Sequence, residues 1–142
     1  MAGVKTYASD KVAITFGAHS FKGLADGTFV NIEMMSDGVT SKAGADGEVA
    51  RSMSADKRCK VAITLLSTSE TNTVLSRFYD ADQVSGGALP LPLTIKDLRG
   101  DTMFAAGSAW IVKKANTEFS QEVGTREWTF ETAAAEYIAG GN

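Results

Sequence analysis

Only one cysteine, Cys59, and one histidine, His19, occur in the 142 residues. A single thiol excludes an intrachain disulfide, so the fold needs no oxidising compartment. The same scarcity excludes zinc sites built from His and Cys clusters. Proline occurs twice, which rules out Pro-rich and collagen-like segments. Apolar runs are a few residues long, far short of the ~20 that a membrane-spanning helix requires. The opening Met1 to Tyr7 lacks the apolar stretch of a signal peptide. A basic surplus is missing too. Seventeen acidic against 14 basic residues leave a net charge of −3, which argues against a general nucleic-acid binder held by phosphate contacts. The expectation is a soluble protein with no membrane anchor, folded in a reducing cytosol.

What remains is ordinary globular material, 44% hydrophobic and 22% charged. The length fits a single domain, residues 1–142. Area scaling gives a folded surface of roughly 7,000 Å² against roughly 22,000 Å² unfolded, enough for a core without staples. Period-two alternation dominates. Val12, Ile14 and Phe16 oppose Lys11, Ala13 and Thr15; Val30, Ile32 and Met34 oppose Asn31 and Glu33; Val61, Ile63 and Leu65 oppose Lys60, Ala62 and Thr64. Leu91, Leu93 and Ile95 alternate again, and Pro92 among them points to an edge strand. Residues 102–112 and 126–132 are also β-like, the latter with Trp128 and Phe130 on one face and Glu127, Thr129 and Glu131 on the other. Such alternation marks strands covering a core. Asp-Gly, Gly-Gly and Arg99-Gly100-Asp101 turns separate them. Residues 132–138 read as a continuation of the last strand, bent.

One segment has helical period. Val74, Leu75, Phe78 and Tyr79 form an apolar stripe within residues 69–82, with Ser69 placed to cap it and Glu70 in its first turn. Residues 36–58 hold only Val39, Val49 and Met53 as large apolar residues and read as an extended polar loop; a connection of that length is functional or mobile. Residues 42–60 carry Lys42, Arg51, Lys57, Arg58 and Lys60 against Asp46, Glu48 and Asp56. Residues 118–136 carry Glu118, Glu122, Glu127, Glu131 and Glu136 against Arg126. The two stretches are complementary in charge, and the bland alternative is two solvated faces.

A catalytic set is absent. His19 and Ser20 are adjacent on a strand and face opposite ways, so they form no nucleophile–base pair. Cys59 lies between Arg58 and Lys60, which favours a thiolate, yet no histidine motif accompanies it and inward packing is the simpler role. The Asp-Gly pairs lack the alternating acids of a calcium loop. Trp110, Trp128, Phe130 and Tyr137 are either core or a ligand platform. No cofactor is implied. The residues alone leave a mostly β domain with one helix, whose sheet edges must be closed, covered or paired with other subunits.

Beyond this, the chain resembles the tail tube proteins of contractile-tailed bacteriophages. The resemblance rests on Val12 to Gly17, Gly44 to Arg51, Lys60 to Leu65, Ser69 to Leu75, Ile95 to Leu98, Ala109 to Ile111, Arg126 to Trp128 and the terminal Gly140-Gly141-Asn142, in that order. It implies a mainly β fold, a two-sheet sandwich or split barrel with one flanking helix, and hexameric rings stacked into a hollow tube like that of type VI secretion. The function implied is structural and non-enzymatic. DNA passes down the bore without specific binding, and sheath contraction drives the tube through the host envelope. Partners are further copies of the chain, the sheath protein, and baseplate and tail terminator proteins. The setting is the virion tail, assembled in the host cytoplasm. On this reading Asp46, Glu48, Arg51, Lys57 and Arg58 make inter-subunit or inter-ring ion pairs. Glu127, Thr129 and Glu131, or Asn31 and Glu33, line the lumen, because a basic bore would hold DNA phosphates and stall passage. A monomeric β-sandwich ligand-binding module is the alternative, and a small enzyme built on His19 or Cys59 the remoter one.

Overall fold

A computed structural model describes residues 3–141; Asn142 of the terminal Gly-Gly-Asn lies outside the described residues. A single 3₁₀ turn, Ser9–Lys11, precedes β1 (Val12–Phe16) and the two-residue β2 (His19–Ser20). Then come β3 (Val30–Met34), β4 (Val39–Ala43), β5 (Val49–Met53) and β6 (Cys59–Leu66). The helix α1 (Thr71–Val84) follows, and β7 (Leu91–Asp97), β8 (Met103–Lys113), β9 (Thr125–Thr132) and β10 (Ala135–Ile138) complete the chain.

Eight strands form one antiparallel sheet in the order β2-β1-β7-β8-β9-β6-β3, with β10 also on β8. In a flat sheet β1 and β9 would stand three strand spacings apart, roughly 14 Å. Yet Phe16 of β1 and Phe130 of β9 meet edge-on with centroids 5.1 Å apart. The sheet therefore folds over on itself into two layers around a shared core of Ile14, Phe16, Val61, Ile63, Leu65, Leu93, Ile95, Phe104, Trp128 and Phe130. Its outer strands β2 and β3 do not pair, so the barrel stays open, as a sandwich does.

The join between layers is β8 with β9–β10. β9 pairs with the second half of β8 and β10 with the first half, on the same edge and in one register as far as Ile111, beyond which a bulge shifts it. At the bend between them the Ala133 N–H still donates to the Ser108 carbonyl. The bent continuation expected from sequence is what forms.

Pro92 does not mark an edge strand. β7 is paired on both sides, with β1 and with β8. Pro92 sits where the β8 register shifts and just past the last β1 pair, Phe16↔Leu93. There its missing N–H costs nothing, and its carbonyl accepts from Gly17 N–H at 2.8 Å. Arg99-Gly100-Asp101 is the β7–β8 turn, held by Asp97 Oδ1 accepting from Arg99 N–H.

The helix begins two residues later than expected, because Ser69 precedes its first turn and its hydroxyl accepts from Thr71 N–H at 3.2 Å. Glu70 is the N-cap residue itself. Gly86 and Gly87 end the helix at positive φ, Gly87 N–H returning to the Asp82 carbonyl at 2.8 Å. α1 closes one mouth of the sandwich. Leu75 is fully buried, Phe78 stacks edge-on with Phe16 at 5.5 Å, and Asn72 Oδ1 accepts from Trp128 Nε1 at 2.9 Å.

Residues 36–58 are not a loop. β4 and β5 form an antiparallel hairpin of their own, from Val39↔Met53 to Ala43↔Val49. All ten of its residues are exposed. With no face covered, it lacks the apolar alternation that reveals the other strands.

Candidate assembly surfaces

Two surfaces collect the residues singled out from sequence. The first is the β4–β5 hairpin. Its turn is built by Gly44, Asp46 and Gly47: Asp46 Oδ1 accepts from Glu48 N–H at 3.1 Å, and Gly47 takes φ +85. Asp46 thus has a local role in shaping the tip. Glu48 follows the turn, and Arg51 lies mid-strand on β5 opposite Ser41. Side-chain alternation puts Arg51 on the same hairpin face as Val39, Val49 and Met53. Met53 is 75% and Val49 66% exposed. That face is therefore apolar only at its two ends, Val39 with Met53 and Ala43 with Val49, with the polar pair Ser41 and Arg51 between them.

The base of the hairpin is fastened by Asp56. Its carboxylate takes two hydrogen bonds from the Arg58 guanidinium, both at 3.0 Å, and one from the Ser36 hydroxyl at 2.6 Å. The Arg58 side chain, helped by Ser36 and the Arg58 N–H, holds the Asp56 carboxyl well below the usual carboxylate range. Arg58 is raised by the same pairing. Its charge is thus matched within the chain. Arg51, Lys57 and Glu48 have no ion-pair partner among the described residues. Asp56 was not a candidate from sequence, although its spacing of two from Arg58 is the available signal.

The second surface is the outer face of β3-β6-β9. β6 lies between the other two strands, so both candidate sets fall on one plane. Glu33, Lys60 and Glu131 share one cross-strand row; Asn31, Ala62 and Thr129 share the next; Thr64 and Glu127 pair beyond. This face holds a shallow concavity of about 320 Å³, lined by Asn31, Glu33, Lys60, Thr64, Glu127 and Thr129 among others. Three carboxylates against one lysine make it acidic.

The residues with catalytic potential are structural. His19 Nε2 lies 3.0 Å from the Thr71 hydroxyl and ties β2 to α1. Cys59 is buried, and burial, with the Asp56 charge, pushes its thiol up. Its basic neighbours do not activate it, since Arg58 is paired to Asp56. Trp128 and Phe130 are core, and Trp110 and Tyr137 are half-buried, so the four aromatics form no platform. Among the described residues no helix is long and apolar enough to cross a membrane.

A family model described as the bacteriophage PhiTE tail tube protein matches residues 8–140. The chain belongs to this phage tail tube family. The tail tube assignment agrees with a curated relative, structural protein ORF10 of Pseudomonas phage KPP10. The two are 28% identical over 150 residues, covering 100% of this chain and 87% of the relative. Two solved structures are similar to this chain in fold. The tube-terminating cap of the anti-feeding prophage has a TM-score of 0.64 at 8% identity, over 97% of this chain and 94% of the other. A chain of the native gene transfer agent virion has a TM-score of 0.55 at 9% identity, over 94% and 100%. The tail tube protein is a structural virion component, not an enzyme.

Proposed function

We propose that the chain acts as one domain over residues 1–142 and forms hexameric rings that stack into the inner tube of a contractile tail. The observation that carries this reading is the β4–β5 hairpin, whose ten residues are all exposed. A lone two-stranded hairpin is marginal in water, and this one gains its stability by lying against a neighbouring copy. Surface area supports the same reading. The chain exposes 9364 Å², about a third more than the roughly 7,000 Å² of a compact monomer of its mass. The outer edge of β3, at the end of the sheet order, supplies backbone groups for pairing with adjacent subunits.

Within the assembly, Glu48, Arg51 and Lys57 form ion pairs between rings, while Asp46 and Arg58 hold the hairpin in position to make them. The acidic face bearing Asn31, Glu33, Glu127, Thr129 and Glu131 lines the lumen, where it repels DNA phosphates and lets the duplex slide. Sheath, baseplate and tail terminator proteins are the further partners, and assembly takes place in the host cytoplasm. Negative-stain electron microscopy at rising concentration tests the reading. Hollow tubes of stacked six-fold rings are expected. A protein that stays monomeric even with baseplate extract overturns it.

A further inference from the structure

The Arg126-Glu127-Trp128 stretch has a second use. Arg126 shares its strand face with Trp128 and Phe130, so it points inward at the helix-covered mouth. Its Nε is buried and has no hydrogen-bond partner among the described residues. No carboxylate lies within ion-pair distance of it among the described residues. Arg126 opens into a cavity of about 150 Å³, walled by Thr73 and Ser76 of α1 and by Lys114 and Thr117 after β8. Lys114 is already paired, 2.8 Å from Asp80. The hydroxyl-bearing Thr73 and Thr117 on its wall are exposed and Ser76 is half-buried. An arginine whose Nε is unpaired among the described residues thus borders one small, solvent-open space ringed by hydroxyl-bearing side chains.

A partly buried cation without a counter-charge is costly. The fork of an arginine is matched best by a planar or tetrahedral oxyanion. We propose that this pocket binds an oxyanion, and that its occupant in the assembled tube is a carboxylate side chain of a second copy of the chain. This rests on the tube reading above. Two observations favour a carboxylate from another copy over a free ion. The chain has 17 acids, and ion pairs within it engage only Glu70, Asp56 and Asp80 among the described residues. The loop that supplies Lys114 and Thr117 also holds Phe119, 90% exposed, and Val123, 63% exposed. That loop therefore carries exposed apolar side chains within a few residues of the pocket, as suits a segment that meets another protein.

Two measurements test it. In the first, the indole N–H of Trp128, which borders the pocket, is followed by NMR in the unassembled protein while acetate or inorganic phosphate is added against chloride. A saturable shift is expected in the wild type and none in Arg126→Gln. Absence of the shift in the wild type overturns the oxyanion site. In the second, tube formation is followed by sedimentation. Arg126→Gln is expected to raise the concentration needed by about tenfold, equivalent to ~1.4 kcal/mol per contact, with Arg126→Lys intermediate and both melting near the wild type. Unchanged assembly by Arg126→Gln, with the phosphate shift present, means a free ion is the occupant and overturns the second-copy claim. If the wild type itself never assembles, the tube reading and the second-copy claim fail, and the NMR arm still decides the pocket.

Discussion

Asn72 is the residue on which the helix-covered mouth depends most. Its Oδ1 accepts from the Trp128 indole at 2.9 Å, while its Nδ2 donates to the carbonyls of Leu66 at 3.0 Å and Ser69 at 3.1 Å. Asn72→Ala leaves the buried Trp128 indole N–H without its acceptor and removes one of two donors from each of the Leu66 and Ser69 carbonyls. The expected loss is about 2–3 kcal/mol, measurable by urea unfolding. Asp56 gives the molecule a pH dependence. Its folded carboxyl sits below the ordinary value of 3.8 because Arg58 and Ser36 donate to the charged form. The unfolded chain therefore binds the proton more readily. The stabilisation is complete above that ordinary value and is lost as pH falls through the lower folded one. The stability gap between wild type and Asp56→Asn is expected to be constant near neutrality and to close below about pH 4, as followed by thermal melts in a pH series.

The β4–β5 hairpin is the element that sets this chain apart from a compact sandwich. It contributes nothing to the core, so replacing residues 39–53 by a short Gly-rich turn is expected to leave the melting temperature within a few degrees. The same change is expected to abolish tube formation in sedimentation assays. Charge reversal at Arg51 or Glu48 is expected to shorten or destabilise tubes without unfolding the monomer. The hairpin also shows where sequence patterning stops working. β1, β3, β6, β7, β8 and β9 were legible because burial of one face forces Val, Ile, Leu and Phe onto alternate positions. In β4 and β5 nothing is buried within the chain, so Thr40, Ser41 and Lys42 carry no such imprint, and only the Asp46-Gly47 turn betrays the reversal. Pro92 misled for a related reason: its position at a bulge depends on pairing partners far along the chain. The acidic face was half legible. Alternation put Glu127 and Glu131 outward, and separately Asn31 and Glu33, but only the β3-β6-β9 order joins them. Arg126 escaped notice because a charged residue on a core-facing position is read as solvent-exposed until the helix is seen above it.

At the scale of the whole molecule, the proposed place of the acidic face in the lumen bears on DNA passage. Duplex DNA carries a dense negative charge, and a surface where Glu33, Glu127 and Glu131 outnumber Lys60 repels it on balance. Replacing all three by lysine is expected to turn assembled tubes into DNA binders whose affinity falls steeply with salt, as read by fluorescence anisotropy. Wild-type tubes are expected to show no measurable retention at the same ionic strength.

The long strand β8 has a mechanical consequence. It belongs to both layers, with β7 on one side and β9–β10 on the other. In an ordinary sandwich, two sheets meet only through side chains and can creep past one another under shear. Here covalent backbone crosses from layer to layer, so a push along the axis of either layer loads the other directly. Sliding would require tearing a ladder of hydrogen bonds all at once. The subunit is thereby stiff against sliding of one layer over the other.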